Sequence, residues 1–536
     1  MRGQILKYRL FILFSAVIVT ISSCKSGQEL EADVKAKLSA SIKAQLNEDK
    51  WIGNERDTVI SVVLTKAYYD QIAYEPIWIN DSSLNSQGEH LYQLIGEARK
   101  YGLLPEFYNY SLITNALPDS LIQAEVLLTN AFYLMSTHLN SGFINKRNNQ
   151  MDWMKDSLDF SHETILVNVR SGESVRDQML ALQPGFWEYQ QLQKGLVNYL
   201  ENYDLDTIQY EIPSLKEDSA KCYQATKKAL LGHFFISEEE AANDSIFIEK
   251  LKAFQTKHGL KPDAVVGRWT SHVLNRSNED RFLQAALSLE KWRWRVKDTI
   301  PTRRIWVNIP SYTLKIIDQE QVVRQHRVVV GAFATQTPEF HASLKRMVTN
   351  PFWHVPYSIA STEILYGIKK DTAYLKSKGY KIFRDGEEVD AQTVDWTEVG
   401  ARNFKYHVRQ NGGGGNSLGR IKFLFPNQHA VFIHDTPSKY LFWNDMRAYS
   451  HGCVRLHEPF ELAKSILEID KSMIVSDTLD SIVARGAQRV IELNKPIEVY
   501  IDYFSAVGDS SGQIIFYPDV YGRDEKFISL IKKNIK

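Results

Sequence analysis

IWVNIPSYTLKIID, residues 305–318, marks a change in the texture of the chain. It follows Pro301 and Arg303 and precedes VVRQHRVVVG (322–331) and KRMVTNPFWHVP (345–356). Each segment alternates or is dense in β-branched residues and is bounded by turn residues, which predicts strands. The pattern continues through IKFLFPN, AVFIH and KPIEVYIDYFSAV, so a β-rich domain is expected over residues 303–506. Helices are expected within it at about 360–378, 459–469 and 479–493. Only the glycine tract Gly412 to Gly415 reads as linker.

Upstream the period changes. Leu91, Leu94, Ile95 and Ala98 fall at i, i+3, i+4 and i+7, with Gly102 as a stop and Pro105 beyond it. A second helix runs through Leu127, Ala131, Leu134 and Met135 and ends near Ser141-Gly142. An all-helical region over 24–240 follows, in which Cys222 reads as structural. Residues 241–278 predict a compact helix–turn–helix: Phe247, Leu251 and Phe254, the turn Gly259-Leu260-Lys261-Pro262-Asp263, then Gly267 to Leu274. A connecting helix (279–302) ends in Trp292-Arg293-Trp294-Arg295, which reads as an interdomain clamp of indoles and Arg stems rather than a base-stacking surface. Residues 507–536 form a C-terminal extension. The fold class is multidomain α+β.

Composition agrees with an ordered protein. The 536 residues suffice for several domains, and 44% hydrophobic content excludes a wholly disordered chain. Sixty-four basic residues balance sixty-four acidic ones, which argues against a nucleic-acid partner. Three cysteines cannot build a disulfide framework. Arg2, Lys7 and Arg9 precede LFILFSAVIVTI (10–21), too short to span a bilayer and of the length of an export signal. Ile21-Ser22-Ser23-Cys24 resembles the lipobox of bacterial lipoproteins. Cleavage before Cys24 and lipidation of its thiol would tether the chain to a membrane outside the cytoplasm. An ordinary signal peptide that passes a cysteine is the alternative.

The densest set of chemically capable residues is FIHDTPSKYLFWNDMRAYSHGCVRLHEP (432–459). Alternation puts Phe432 and His434 on one face of a strand and Val431 and Ile433 on the other, with His434 at the strand end. Ser450-His451-Gly452-Cys453-Val454-Arg455 places a thiol after a glycine that leaves the backbone open. A thiol of pKa ~8.5 needs a base or a cation to become a nucleophile at neutral pH. His434, nineteen positions upstream of Cys453, is the candidate base, with His451 as support and rival. Arg455 suits a bidentate grip on a substrate carboxylate or an ion pair within the domain. No His-x-x-x-His or Cys-x-x-Cys ligand pair occurs, and no cofactor is expected.

These residues resemble the L,D-transpeptidase signature: a strand His, then Ser-[His/Ser/Thr]-Gly-Cys, an apolar residue and Arg or Asn, filled by His434, Ser450, His451, Gly452, Cys453, Val454 and Arg455. VVVGAFATQTPEF (328–340) and GNSLGRIKFLFPN (415–427) resemble further family segments, and AYYDQIAYEPIWIN (67–80) with ARKYGLLPEFY (98–108) resembles the helical scaffold of large members. FIEKLKAFQTKHGLKPDAVVGRWTSHVLN (247–275) is similar to a peptidoglycan-binding domain, with Ala264 where Gly is usual, although a hairpin that only packs on its neighbours is the alternative.

The resemblance implies Cys453 as nucleophile and His434 as general base and acid. Ser450, His451 and Gly452 would support the site or its oxyanion, and Arg455 and Asn416 would bind substrate. It implies a capping subdomain at about 357–416, whose glycine tract suits a hinge or a passive loop. The activity implied is 3→3 cross-linking of peptidoglycan through a cysteinyl thioester with release of D-alanine, at the cell envelope, with stem peptides and glycan as partners. Hydrolysis or attachment of a protein to the wall by the same acyl-enzyme is the alternative within the enzyme class. An inactive wall-binding scaffold has no use for the His434–Cys453 pair.

Overall fold

A computed structural model of the protein describes residues 27–47, 58–144, 158–233, 235–295 and 300–535. The expected export signal and Cys24 lie outside these residues. Among the described residues no helix is long and apolar enough to cross a membrane. They form two compact units, one of residues 27–47, 58–92 and 111–133, the other of residues 93–110 and 134–535.

The first unit is helical and includes Gly27–Asn47 and Thr58–Gln71. A fully buried carboxyl organises it. Glu125 accepts the backbone N–H groups of Ile77 (2.6 Å) and Trp78 (2.9 Å) and the Tyr69 hydroxyl (2.6 Å), which ties the 75–80 loop to its helix. Burial pushes Glu125 up to about 7, against the pull of these donors.

The second unit contains the β-rich domain. In chain order its strands are β1 (Arg304–Asn308), β2 (Thr313–Asp318), β3 (Gln321–Gly331), β4 (Phe340–Thr349), β5 (Trp353–His354), β6 (Tyr380–Arg384), β7 (Glu387–Val389), β8 (His407–Gln410), β9 (Ile421–Leu424), β10 (Ile433–His434), β11 (Ala448–Ser450), β12 (Val454–Leu456) and β13 (Arg489–Asp502). Nine of them make one sheet in the order β11-β3-β12-β10-β9-β4-β13-β1-β2, and β2 also pairs with β3, so the sheet closes on itself as a barrel. Closure removes the open edges that a sheet of this size would otherwise expose. Alternation then fills the interior: Ile305, Val307, Leu314, Ile316, Val328, Val330, Phe423, Ile433, Val454 and Val499 share one core. Helix Pro459–Ile469, with proline at its first turn, covers part of that core through Leu462, Ala463 and Ile466.

The expected helix over 479–493 is corrected. The helix is Ser476–Ala484, and the chain is already strand from Arg489, where Arg489 to Glu492 pair with Thr349 to Arg346. A turn at Gly486 and non-local pairing override the local helical period.

Between β4 and β9 the chain leaves the barrel and builds a four-stranded sheet, β5-β8-β6-β7, with helical turns at Tyr357–Ile359, Ala360–Ile364 and Leu365–Lys370. It has its own core of Ile359, Ile364, Ile368, Ile382, Trp396, Phe404 and Val408. The excursion was expected to begin at Tyr357, but Trp353 and His354 of β5 already belong to its sheet, paired with β8.

The connecting helix is Asn278–Arg293, capped by Ser277, and is buried without interruption from Arg281 to Arg293. Trp292 stacks on Phe504 at 4.6 Å, Arg295 lies over Trp292 and pairs with Asp502, and the Trp306 indole also donates to Asp502. Arg293, with no exposed surface, donates to the Tyr189 hydroxyl and the Tyr101 carbonyl. A C-terminal hairpin of β14 (Ala506–Gly508) and β15 (Ile514–Phe516) shares the core of this helix and of helix Trp187–Asn202.

The helix–turn–helix is formed by Asp244–Lys257 and Arg268–Leu274. Cys222 is buried in its core with Leu251 and Phe254. Ala264 holds φ 60°, the left-handed region that favours glycine, while its N–H donates to the Gln255 side chain at 2.8 Å.

Candidate active site

Three adjacent strands position the capable side chains. His434 on β10 lies opposite Lys422 on β9 and Arg455 on β12, while Ile433 lies opposite Phe423 and Val454. Because Ile433, Phe423 and Val454 face the barrel core, the row Lys422, His434, Arg455 faces outward. Phe432 and Cys453 sit one step back on the same face, joined by the bond from Val454 N–H to the Phe432 carbonyl at 3.1 Å. Cys453 thus lies on the parallel strand beside β10, one residue before the partner of Ile433 and on the same face as His434.

Backbone geometry fixes the turn that carries the thiol. Gly452 holds φ 112°, where a side chain is strained although space is open around it. Ser450 folds its hydroxyl onto the Cys453 carbonyl and accepts the Gly452 N–H at 3.2 Å. A brace lies beneath: Thr335 donates to the Ser450 carbonyl (2.9 Å) and Thr337 to the Gly452 carbonyl (2.8 Å), while Thr337 accepts the Gly331 N–H (2.8 Å). A Cβ on Gly331 would meet the Thr335 carbonyl oxygen at 2.1 Å, so the brace requires glycine there. Among the described residues the Cys453 N–H has no acceptor, whereas the Gly452 N–H is used by Ser450.

The Cys453 thiol is 3.8 Å from the Ala430 carbonyl oxygen. Burial pushes it up to about 11, against the Phe432 N–H and the cations of Arg455 and Lys422. Burial brings His434 down to about 4, so its imidazole is neutral at pH 7. His434 Nδ1 lies 2.5 Å from the Asp435 carbonyl oxygen. That acceptor requires the proton on Nδ1 and leaves a lone pair on Nε2, which is the base form. Asp435 is buried and takes the N–H groups of Arg420 and Thr436 and the ammonium of Lys439. The pair therefore rests as neutral thiol and neutral imidazole, with two cations nearby to favour any anion that forms.

The remaining expected residues divide. Arg455 shares the face of Cys453 and, among the described residues, forms no ion pair. His451 places Nε2 2.5 Å from Glu363 of the inserted subdomain. Asn416 is buried, its amide donating to the carbonyls of Pro351, Gln410 and Asn411 and accepting the Leu418 N–H, so its hydrogen-bonding capacity is spent on backbone. Sequence reading did not single out Lys422. Its place beside core Phe423 signals an outward side chain, but only the β9–β10 register puts it next to His434. Among the described residues no cluster of three or more potential metal ligands occurs.

Comparison with known proteins bears on the same region. Residues 302–478 match the L,D-transpeptidase catalytic domain, and residues 63–196 match a scaffold domain. A Haemophilus influenzae protein named "Putative L,D-transpeptidase" is 31% identical over 223 residues, which are 41% of this chain and 45% of that relative. The chain thus spans less than half the length of the curated relative it matches. A solved structure, "Structure of the Ldtfm-avibactam carbamoyl enzyme", aligns with 39% of this chain and 51% of its own at 10% identity and a TM-score of 0.18, a likeness too low to carry an argument. On the family matches the chain carries an L,D-transpeptidase catalytic domain together with a scaffold domain.

Proposed function

We propose that the protein is a peptidoglycan L,D-transpeptidase that forms 3→3 cross-links through a thioester on Cys453. The observation that carries this reading is the common outward face of His434 and Cys453, flanked by the cations Lys422 and Arg455, within the matched domain. His434 Nε2 takes the thiol proton as the carbonyl of the third stem residue arrives, and Sγ attacks that carbon. The oxyanion is held by the Cys453 N–H and the nearby cations. Collapse breaks the amide bond, D-alanine leaves with the proton returned by His434, and the acyl group remains on sulfur. An acceptor amine then attacks the thioester, gives its excess proton to His434 and displaces the thiolate, which is reprotonated. Energy is conserved because one amide is exchanged for another, which suits a compartment without ATP.

Arg455 is assigned the substrate carboxylate. Asn416 is assigned to bracing the base of the inserted subdomain instead of to substrate. That subdomain would cap the cleft, the helix–turn–helix would bind wall glycan, and lipidated Cys24 would hold the protein at a membrane of the cell envelope. Water in place of the amine would make the same acyl-enzyme a carboxypeptidase.

Purified protein incubated with disaccharide tetrapeptide should release D-alanine and yield a cross-linked dimer by mass spectrometry, and Cys453→Ala should yield neither. An equally active Cys453→Ala variant would remove Cys453 from the reaction. Hydrolysed tripeptide without dimer would assign the carboxypeptidase reading.

A further inference from the structure

The match to the catalytic domain ends at residue 478, yet the loop beneath the thiol-bearing turn is gripped by the segment 519–524. Tyr521 is buried in the barrel core. Its hydroxyl donates to the Gly331 carbonyl at 2.7 Å and accepts the Thr337 N–H at 3.2 Å. Arg523 supplies a second grip on the same loop. Its guanidinium donates to Glu339 (2.8 Å), to the Gln336 side-chain oxygen (2.9 Å) and to the Thr337 carbonyl (3.2 Å). Thr337 is therefore fixed at its N–H by the tyrosine and at its carbonyl by the arginine.

The grip is itself anchored. The Tyr521 N–H donates to the Tyr503 hydroxyl at 2.8 Å, and the two rings stack at 5.7 Å. The Tyr503 hydroxyl in turn donates to Asp519. Asp519 also accepts the N–H groups of Arg523, Asp524 and Glu525 at 3.0, 2.9 and 3.1 Å, which satisfies the open start of helix Arg523–Ile535. Asp524 pairs with buried Lys291 of the connecting helix at 2.7 Å. Tyr521 and Arg523 thus reach the loop from a base tied both to the end of β13 and to that helix.

What the loop holds is one peptide plane. The Thr337 hydroxyl accepts the Gly331 N–H, so its single proton is committed to the Gly452 carbonyl at 2.8 Å. That carbonyl and the Cys453 N–H belong to the same planar trans peptide unit and point in opposite directions. Fixing the oxygen therefore fixes the direction of the N–H. Gly452, at φ 112° and without a Cβ, places little steric limit on rotation of this unit, so the bond from Thr337 is what orients it.

We propose that Tyr521 and Arg523 are positioning residues for Cys453, which through Thr337 and the Gly452 carbonyl hold the Cys453 N–H toward the reacting carbonyl. The proposal rests on the transpeptidase reading for its rate measurement but not for its spectroscopic one. The full chain labelled with [15N]cysteine is examined by NMR, the Cys453 amide signal being identified by its loss in Cys453→Ala. Tyr521→Phe, which keeps the ring, should move the Cys453 signal and leave that of Cys222 in place. It should lower kcat for D-alanine release from disaccharide tetrapeptide about tenfold at unchanged KM, since a misdirected oxyanion donor forfeits part of the ~10²–10³-fold that one such donor supplies. Alkylation of the thiol by iodoacetamide forms no oxyanion and should keep its rate. Thr337→Val should behave as Tyr521→Phe does, and Thr337→Ser, which restores the hydroxyl, as the wild type. Arg523→Gln, at a side chain one-quarter exposed, repeats the test should Tyr521→Phe fail to fold. An unmoved Cys453 signal in the folded variants, or an unchanged kcat, overturns the proposal. Alkylation and kcat falling together in step with the urea midpoint would make these residues merely structural and overturn it too. A wild type that releases no D-alanine, with a Cys453 signal still moved by Tyr521→Phe, would sink the transpeptidase reading and leave the coupling standing.

Discussion

Two patches of the second unit are built from the same materials, aromatic rings and basic side chains, and end in opposite electrostatic states. At the junction of the connecting helix, Arg293 and Arg295 are buried and engaged with Glu290, Tyr101, Tyr189 and Asp502. On the outer face of β9, β10 and β12, Lys422 and Arg455 lie beside Phe432 and His434, and among the described residues neither meets a carboxylate. A buried charge with a partner is architecture. A cation kept without one retains its field for something that arrives later, which in the proposed reaction would be a thiolate, an oxyanion or a substrate carboxylate.

The comparison breaks most visibly if a residue of the outer face proves inert. His434→Gln should lower kcat for D-alanine release by about 10²–10⁴-fold, measured with disaccharide tetrapeptide, because the general base is lost. A fall of less than tenfold would reassign the base. At the junction the equivalent damage should appear in folding. Asp502→Ala removes the buried carboxylate that pairs with Arg295 and accepts from the Trp306 indole, and should cost about 3–5 kcal/mol by urea denaturation, while the reactivity of Cys453 in the remaining folded protein stays unchanged.

Acid provides a test common to both patches. Burial holds His434 at about 4, and burial with the Arg293 charge holds His138 at about 3, whereas both return to ~6.5 on unfolding. The unfolded chain therefore binds more protons, and stability is lost as pH falls from ~6.5 toward 4. The urea midpoint should fall over that range, and His434→Gln should flatten the slope by up to about 1.4 kcal/mol per pH unit.

Smaller effects sharpen the contrast. Lys422→Met removes a cation that favours the Cys453 thiolate, so alkylation by iodoacetamide at pH 8 should slow about threefold with little change in stability. An unchanged rate would show that Lys422 does not reach the thiol. Outside both patches, Ala264→Gly should stabilise the protein by about 1 kcal/mol, since it relieves a left-handed alanine. A loss of stability would mean that the buried methyl contributes more than the strain.

What was legible in the chain depended on how local its cause was. Helix Pro459–Ile469 announces itself by proline at its start and an apolar stripe, and the outward face of His434 follows from alternation alone. The strand at Arg489 was misread because its helical period is local and its partner, β4, lies some 140 residues earlier. Lys422 and the Thr335–Thr337 brace were missed for the same reason, since both depend on which strands become neighbours. The signature marked His451 and Asn416 by position in a motif. Their partners, Glu363 and the 410–418 backbone, come from an excursion whose packing no motif records.

That excursion leaves the barrel and returns at nearly the same point, since the Asn416 amide reaches the carbonyl of Pro351. With its two ends stapled and its core self-contained, the subdomain is a cassette. It can be lengthened, shortened or exchanged for a counterpart between Pro351 and Asn416 without redrawing the barrel.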